Sequence, residues 1–219
     1  MKSARIVVMP TPARAYGGVP AEQRQAERRE RLLDAALTVI GGEGVNALTV
    51  HRVCRTAGLN ERYYYESFPE RDDLIRAVAE DVAGRLITRL VEAIGATPDD
   101  ARIQATAVIG AAIDLFTDDP RLGRLMVESA GHPVLSEVRT GLTSAVLAMI
   151  IERGLTTLKI DHTPEIDKDA TFAATLLLGG MIEVLTAWTT GTLLLDRDEL
   201  VERCVETFLL VGDQATARR

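Results

Sequence analysis

The chain has 219 residues, 47% of them hydrophobic, 26% charged and 4% aromatic. That length and composition suit one domain or two small ones, exclude a chain disordered throughout, and need neither metal nor disulfide to hold a core. The net charge is −7, yet residues through Arg62 carry ten basic against six acidic groups, net +4, so the remainder carries −11. A mildly basic head precedes an acidic body, and this distribution matters more than the total for a nucleic-acid partner.

Residues 1–20 hold Pro10, Pro12, Pro20 and Gly17-Gly18 and read as a flexible arm. Lys2 and Arg5 are followed only by Ile6 to Met9 before Pro10, too short a run for a secretory signal. Arg5 and Arg14 leave two readings open: a basic arm laid in a minor groove, or a tail that contributes little. Residues 21–70 read as a three-helix DNA-binding domain and 71–219 as a helical ligand-binding and dimerisation domain.

The first helix is predicted over 21–40, with Leu33, Ala36, Leu37 and Ile40 at i, i+3, i+4, i+7 and Gly41-Gly42 and Gly44 ending it. Short helices follow at 49–56 and 60–66, then a long one at 71–94. Further helices are expected at 99–117, 121–130, 134–153, 164–190 and 198–211. Pro69, Pro98, Pro120, Pro133 and Pro164 each open or precede one of these segments, as proline's missing N–H and fixed φ demand. No run alternates with a period of two, so the fold class is all-α with about nine helices.

Thr49 to Asn60 reads as helix, tight turn, helix. Thr49 and Asn60 are N-cap residues, and Val50 and Val53 form one buried edge. Ala57-Gly58 supplies a small residue and a left-handed turn, and Leu59 plugs the angle between the helices. This is the pattern of a helix-turn-helix, whose second helix enters a major groove. Tyr63, Tyr64 and Tyr65 are consecutive, so about 100° of helical rotation separates each from the next and all three cannot be core. Tyr64 shares an edge with Phe68 and packs inward. Tyr65 has two readings, a phosphate contact or a cover for the following helix. Arg62 either pairs with guanine or is neutralised by Glu61 or Glu66. Glu61 is either an acceptor for cytosine or a favourable charge at a helix start.

These residues resemble the DNA-binding domain of the tetracycline-repressor (TetR) family. The resemblance rests on Thr49-Val50, Ala57 to Asn60, Tyr65, Phe68, Arg71 and Leu74, with Leu33 to Ala36 and Gly44 to Thr49 before them. It implies phosphate contacts for Thr49, Tyr65 and Arg71, and base edges facing Glu61, Arg62 and Tyr63, with Asn60, His51 and Arg52 nearby. Arg62 and Tyr63 depart from the small residues usual there, Tyr64 from an aliphatic, and Glu66-Ser67 from an aromatic and histidine pair, so no operator sequence carries over. The resemblance further implies a homodimer on a palindromic duplex, released by a small-molecule effector.

In the acidic body, 164–190 is apolar on nearly every face and must be buried widely. A membrane span is the weaker reading of Ala170 to Trp188; a subunit interface is the stronger. Leu176, Gly179, Gly180, Val184, Val205 and Phe208 are the expected interface residues. Phe116, Met126, His132, Met149, Phe172 and Trp188 are candidates for the lining of an effector pocket suited to an apolar or amphipathic molecule, although such residues also serve as plain core.

Catalytic and metal readings are weak. His51, His132 and His162 are scattered, Cys54 and Cys204 are isolated, and neither a metal nor a cofactor is expected. The two lone thiols fit a reducing cytoplasm. Gly42-x-Gly44-x-x-Ala47 follows a helix instead of a strand, which excludes a dinucleotide fingerprint. No nucleophile elbow or P-loop occurs. The opposing classes are a helical bundle acting on or binding a small molecule, and an interaction module without DNA binding.

Overall fold

The structure is a computed structural model that describes residues 20–158, 161 and 163–217. The predicted readings of Arg5, Arg14 and His162 lie outside the described residues. Among those described there are nine α-helices and no strand. They are α1 (Ala21–Glu43), α2 (Val50–Ala57), α3 (Glu61–Ser67), α4 (Arg71–Gly95), α5 (Ala101–Asp118), α6 (Arg121–Glu128), α7 (Pro133–Leu158), α8 (Pro164–Thr189) and α9 (Arg197–Ala217), with a 3₁₀ turn at Val45–Ala47.

Helix ends follow local chemistry. The hydroxyl of Thr49 accepts from the Arg52 N–H at 3.3 Å and the Asn60 side chain from Tyr63 N–H at 3.3 Å, capping α2 and α3. Asp100 and Thr163 cap α5 and α8 in the same way. Gly58 closes α2 with φ of 63°, a left-handed value that an L side chain adopts only at a cost. Two predicted ends move. Helix α1 runs through Gly41-Gly42, because Gly41 is a packing residue: a methyl group there would lie 2.6 Å from Cβ of Arg121 on α6. Helix α7 continues past Arg153 to Leu158, its last turns held by Arg153 and Thr157 side-chain bonds to Gln104.

Two apolar cores form. The first joins α1, α2 and α3 through Leu32, Ile40, Val53, Tyr64 and Phe68. It also takes in Leu74, Ile75 and Val78 of α4, Leu122 and Leu125 of α6 and Leu135 of α7. The head therefore has no core of its own that stops at residue 70; α4, α6 and α7 complete it. The second core, Ile109, Ile113, Leu185, Leu200 and Val205 among others, binds α5, α8 and α9. Helices α7 and α8 are each long and apolar enough to cross a membrane, and only 17% of the most apolar stretch of either is buried within the chain.

Candidate nucleic-acid interface and the cavity behind it

The helix-turn-helix is built from α2, the Gly58 turn and α3. Arg31 of α1 donates to the Ala57 carbonyl at 2.6 Å, tying the turn to the first helix. Tyr64 is buried, edge-on to Tyr65 and Phe68 with ring centres 5.4 and 6.0 Å away. Burial first, and the neighbouring Tyr65 second, push its hydroxyl up to about 12. Burial also raises the Cys54 thiol, with Glu61 adding to it, so this thiol is a packing group.

The predicted DNA-facing residues divide by what holds them. His51 and Glu61 are exposed and 3.8 Å apart, which brings the starts of α2 and α3 together. Arg62 is exposed and bonded to Glu66 at 2.9 Å, the i, i+4 partner. Tyr65 is 56% exposed and stands clear of the core. Tyr63 turns back toward α1, where the Arg28 guanidinium lies 4.5 Å over its ring. Arg52 pairs with Glu43 at the end of α1. Arg71 is exposed at the start of α4, and one of its guanidinium N–H groups donates to the Val45 carbonyl at 2.7 Å, bracing the 3₁₀ turn before Thr49. The exposed set is thus Thr49, His51, Asn60, Glu61, Arg62, Tyr65 and Arg71, while Arg52 and Tyr63 are half-buried.

Behind the head, α4 to α9 enclose a cavity of about 890 Å³. Leu86, Ile109, Leu142, Val146 and Met181 typify its wall, and Phe116, Met126 and Met149 line it as well. Three expected lining residues lie elsewhere. His132 begins α7, its carbonyl accepting from Ser136 N–H at 2.8 Å, and its Nδ1 is buried without a partner. The Trp188 indole N–H is used by the Leu195 carbonyl at 3.0 Å, in the α5–α8–α9 core. Phe172 points outward, 71% exposed. Of the expected interface residues, Val205 is instead 2% exposed in its own chain's second core. Val184 and Phe208 are half-buried on the cavity wall. Leu176, Gly179 and Gly180 remain exposed on α8, with open space where either glycine would carry a Cβ.

Helix α6 joins the cavity to the head. Leu122, Leu125, Met126 and Ser129 face the cavity. On its other side Arg121 bonds Asp34 at 2.9 Å and Thr38 at 2.7 Å on α1, while gripping Asp119 with two nitrogens at 2.8 and 2.9 Å. Those bonds hold the Asp119 carboxyl below its ordinary range against the opposing effect of burial. Arg124 donates to the Gly42 carbonyl at 2.9 Å, and Glu128 accepts from Val45 N–H at 2.6 Å. Arg121, Arg124 and Glu128 were not singled out from sequence. The only local signal was the Arg124–Glu128 i, i+4 spacing, realised at 3.0 Å. Among the described residues no group of three or more potential ligands is placed to hold a metal ion.

Residues 32–78 match the sequence family described as bacterial regulatory proteins, tetR family. The HTH-type transcriptional regulator BetI of Rhizobium meliloti (strain 1021) is 31% identical over 103 residues, 46% of this chain and 50% of that protein. The chain thus spans about half the length of the curated relatives it matches. Among solved structures, a transcriptional regulator of Pseudomonas aeruginosa PAO1 aligns with a TM-score of 0.72 at 18% identity, over 94% of this chain and 99% of that one. FadR of Bacillus subtilis in complex with stearoyl-CoA aligns with a TM-score of 0.68 at 20% identity, over 84% and 97%. At those identities the likeness is one of fold.

Proposed function

We propose, from the match of residues 32–78 to the tetR family of bacterial regulatory proteins, that the chain is a cytoplasmic, ligand-responsive transcriptional regulator. It is a repressor that leaves its operator when a small molecule occupies the cavity. The observation that carries this reading is α6, whose one side lines the cavity and whose other side is bonded to α1 and the 3₁₀ turn of the head. A ligand that displaces Leu122 or Met126 acts on the same rigid element that orients the helix-turn-helix. Coupling of ~1–3 kcal/mol through such an element changes operator affinity about 5–150-fold.

On DNA, Thr49 and Tyr65 hold phosphates, and His51, Glu61 and Arg62 face base edges. The Arg62–Glu66 pair does not oppose this. An exposed i, i+4 pair is worth about 0.3–0.5 kcal/mol, whereas a bidentate guanine contact discriminates by about 1–3 kcal/mol. Arg52, Asn60 and Tyr63 position these groups, and Arg71 reaches a phosphate with the guanidinium donors that the Val45 carbonyl leaves free.

The protein acts as a homodimer on a palindromic duplex with half-sites about 34–36 Å apart. Support comes from α8: Phe172 and Leu176 are large, apolar and exposed, beside two glycines that permit close backbone approach. The same face explains how helices apolar enough for a membrane belong to a protein outside one. The effector is apolar or amphipathic, as the cavity wall suggests and as stearoyl-CoA in the Bacillus subtilis fold neighbour illustrates.

Selection from a randomised duplex library tests this reading. Enrichment of a twofold-symmetric site, weakened by salt and by Arg62→Ala, supports it. No enrichment at any salt concentration overturns it and leaves a helical bundle that binds a small molecule.

A further inference from the structure

Three arginines border the cavity: Arg139, Arg153 and Arg203. Arg203 is bonded to Glu199 at 2.7 Å. Arg153 donates to buried Gln104 at 3.1 Å and to Asp99 at 3.4 Å, and Thr157 closes that network. Arg139 differs. Its Nε is buried and no hydrogen-bond partner reaches it, and among the described residues no carboxylate lies within ion-pairing distance. The residue as a whole is half-buried and keeps its charge, so the cost lies in the one buried N–H left without an acceptor, which an anion in the cavity would supply.

The placement of Arg139 adds direction. It stands one turn beyond Leu135 and next to Val138, both packed into the head-side core, with α6 lining the same cavity. From there Leu142, Val146, Met149 and Ile150 continue along one face of α7 to Arg153. At 1.5 Å per residue this apolar stripe runs roughly 21 Å. One end of the cavity carries an arginine with a buried, unpartnered Nε, the far end is a closed polar network, and the α7 wall between them is hydrocarbon.

We propose that Arg139 receives the anionic head of an amphipathic ligand whose apolar chain lies along α7 toward Arg153. This rests on the effector reading above and narrows it to a chain-bearing carboxylate or phosphate. It also places the charged group at the head end of the cavity, beside α6, where occupancy bears most directly on the joint.

Calorimetric titration of the full chain, without DNA, with dodecanoate, dodecyl phosphate and dodecanol tests the proposal. A hydrogen-bonded ion pair in a largely dry site favours at least one of the anions over dodecanol by roughly tenfold or more. Arg139→Gln removes that preference, with circular dichroism and thermal unfolding verifying that the variant is folded. Arg139→Lys keeps part of it. Tighter binding of the carboxylate or of the phosphate identifies the head group. Equal binding of dodecanol and the anions by the wild type, an undiminished preference in Arg139→Gln, or no binding of any of the three overturns the proposal. Because duplex selection uses no amphiphile, each of those results leaves the DNA-binding reading standing on its own test.

Discussion

Replacing Arg121 by Gln removes the Asp34 and Thr38 bonds that tie the start of α6 to α1 and strands the Asp119 carboxylate beside it. Two of its nitrogens grip Asp119, which is 12% exposed, and a third serves Asp34 and Thr38. Breaking a fully buried pair costs about 3–5 kcal/mol and an exposed one about 0–1 kcal/mol. The Arg121 side chain is 33% exposed, so the Asp119 arm lies between those limits, at about 2 kcal/mol. The Asp34 arm, with its carboxylate 69% exposed, adds about 0.5 kcal/mol. Arg121→Gln is therefore expected to cost about 2–3 kcal/mol, or a fall of about 5–10 °C in Tm for a chain of this size. Most of the loss is the stranded Asp119 carboxylate, so the double variant Arg121→Gln/Asp119→Asn recovers about half of it. Urea unfolding of the two single variants, the double variant and Asp34→Asn measures each arm. If Asp34→Asn leaves stability unchanged, Arg121 does not hold α6 to α1 as described, and this part of the route from cavity to head fails with it.

Three further outcomes follow from the same structure. Gly58→Ala forces a side chain into a left-handed backbone of φ 63° and is expected to destabilise by about 1–2 kcal/mol, read by thermal unfolding. Asp119 has its carboxyl lowered from 3.8 by Arg121, so its contribution is complete above that value and is lost as pH falls through the lowered one. The stability gap between wild type and Asp119→Asn should hold constant from neutral pH to about pH 5 and narrow below 3.8; a gap that widens toward acid would reverse the sign of the argument. Phe172→Ser with Leu176→Ser, both on the exposed face of α8, should convert a dimer to a monomer in analytical ultracentrifugation without lowering the monomer's helix content.

What the sequence made legible was local. Thr49 and Asn60 cap as their side-chain chemistry dictates, and Gly58 adopts the conformation that its position in the turn requires. Tyr64 and Phe68 share a buried edge because four residues return a helix to the same face. Long-range placements were not legible. Arg71 meets a carbonyl 26 residues away, Arg121 meets α1 across 87 residues, and Trp188 spends its N–H on a loop that folds back on it. Phe172 and Val205 look alike as apolar positions in periodic helices, but only tertiary packing decides that one faces outward and the other fills a core. Packing around residue 70 was hidden for a related reason: α4 is continuous in sequence pattern, yet its first turns pack in the head's core and its later ones line the cavity.

The central claim is that the cavity governs the head. The direct measurement is fluorescence anisotropy of the selected duplex, with and without dodecanoate at a concentration that calorimetry shows to fill the cavity. Operator affinity should fall at least about fivefold on filling, and Arg121→Gln should blunt that fall. An affinity that stays the same or rises when the cavity is full would contradict the account.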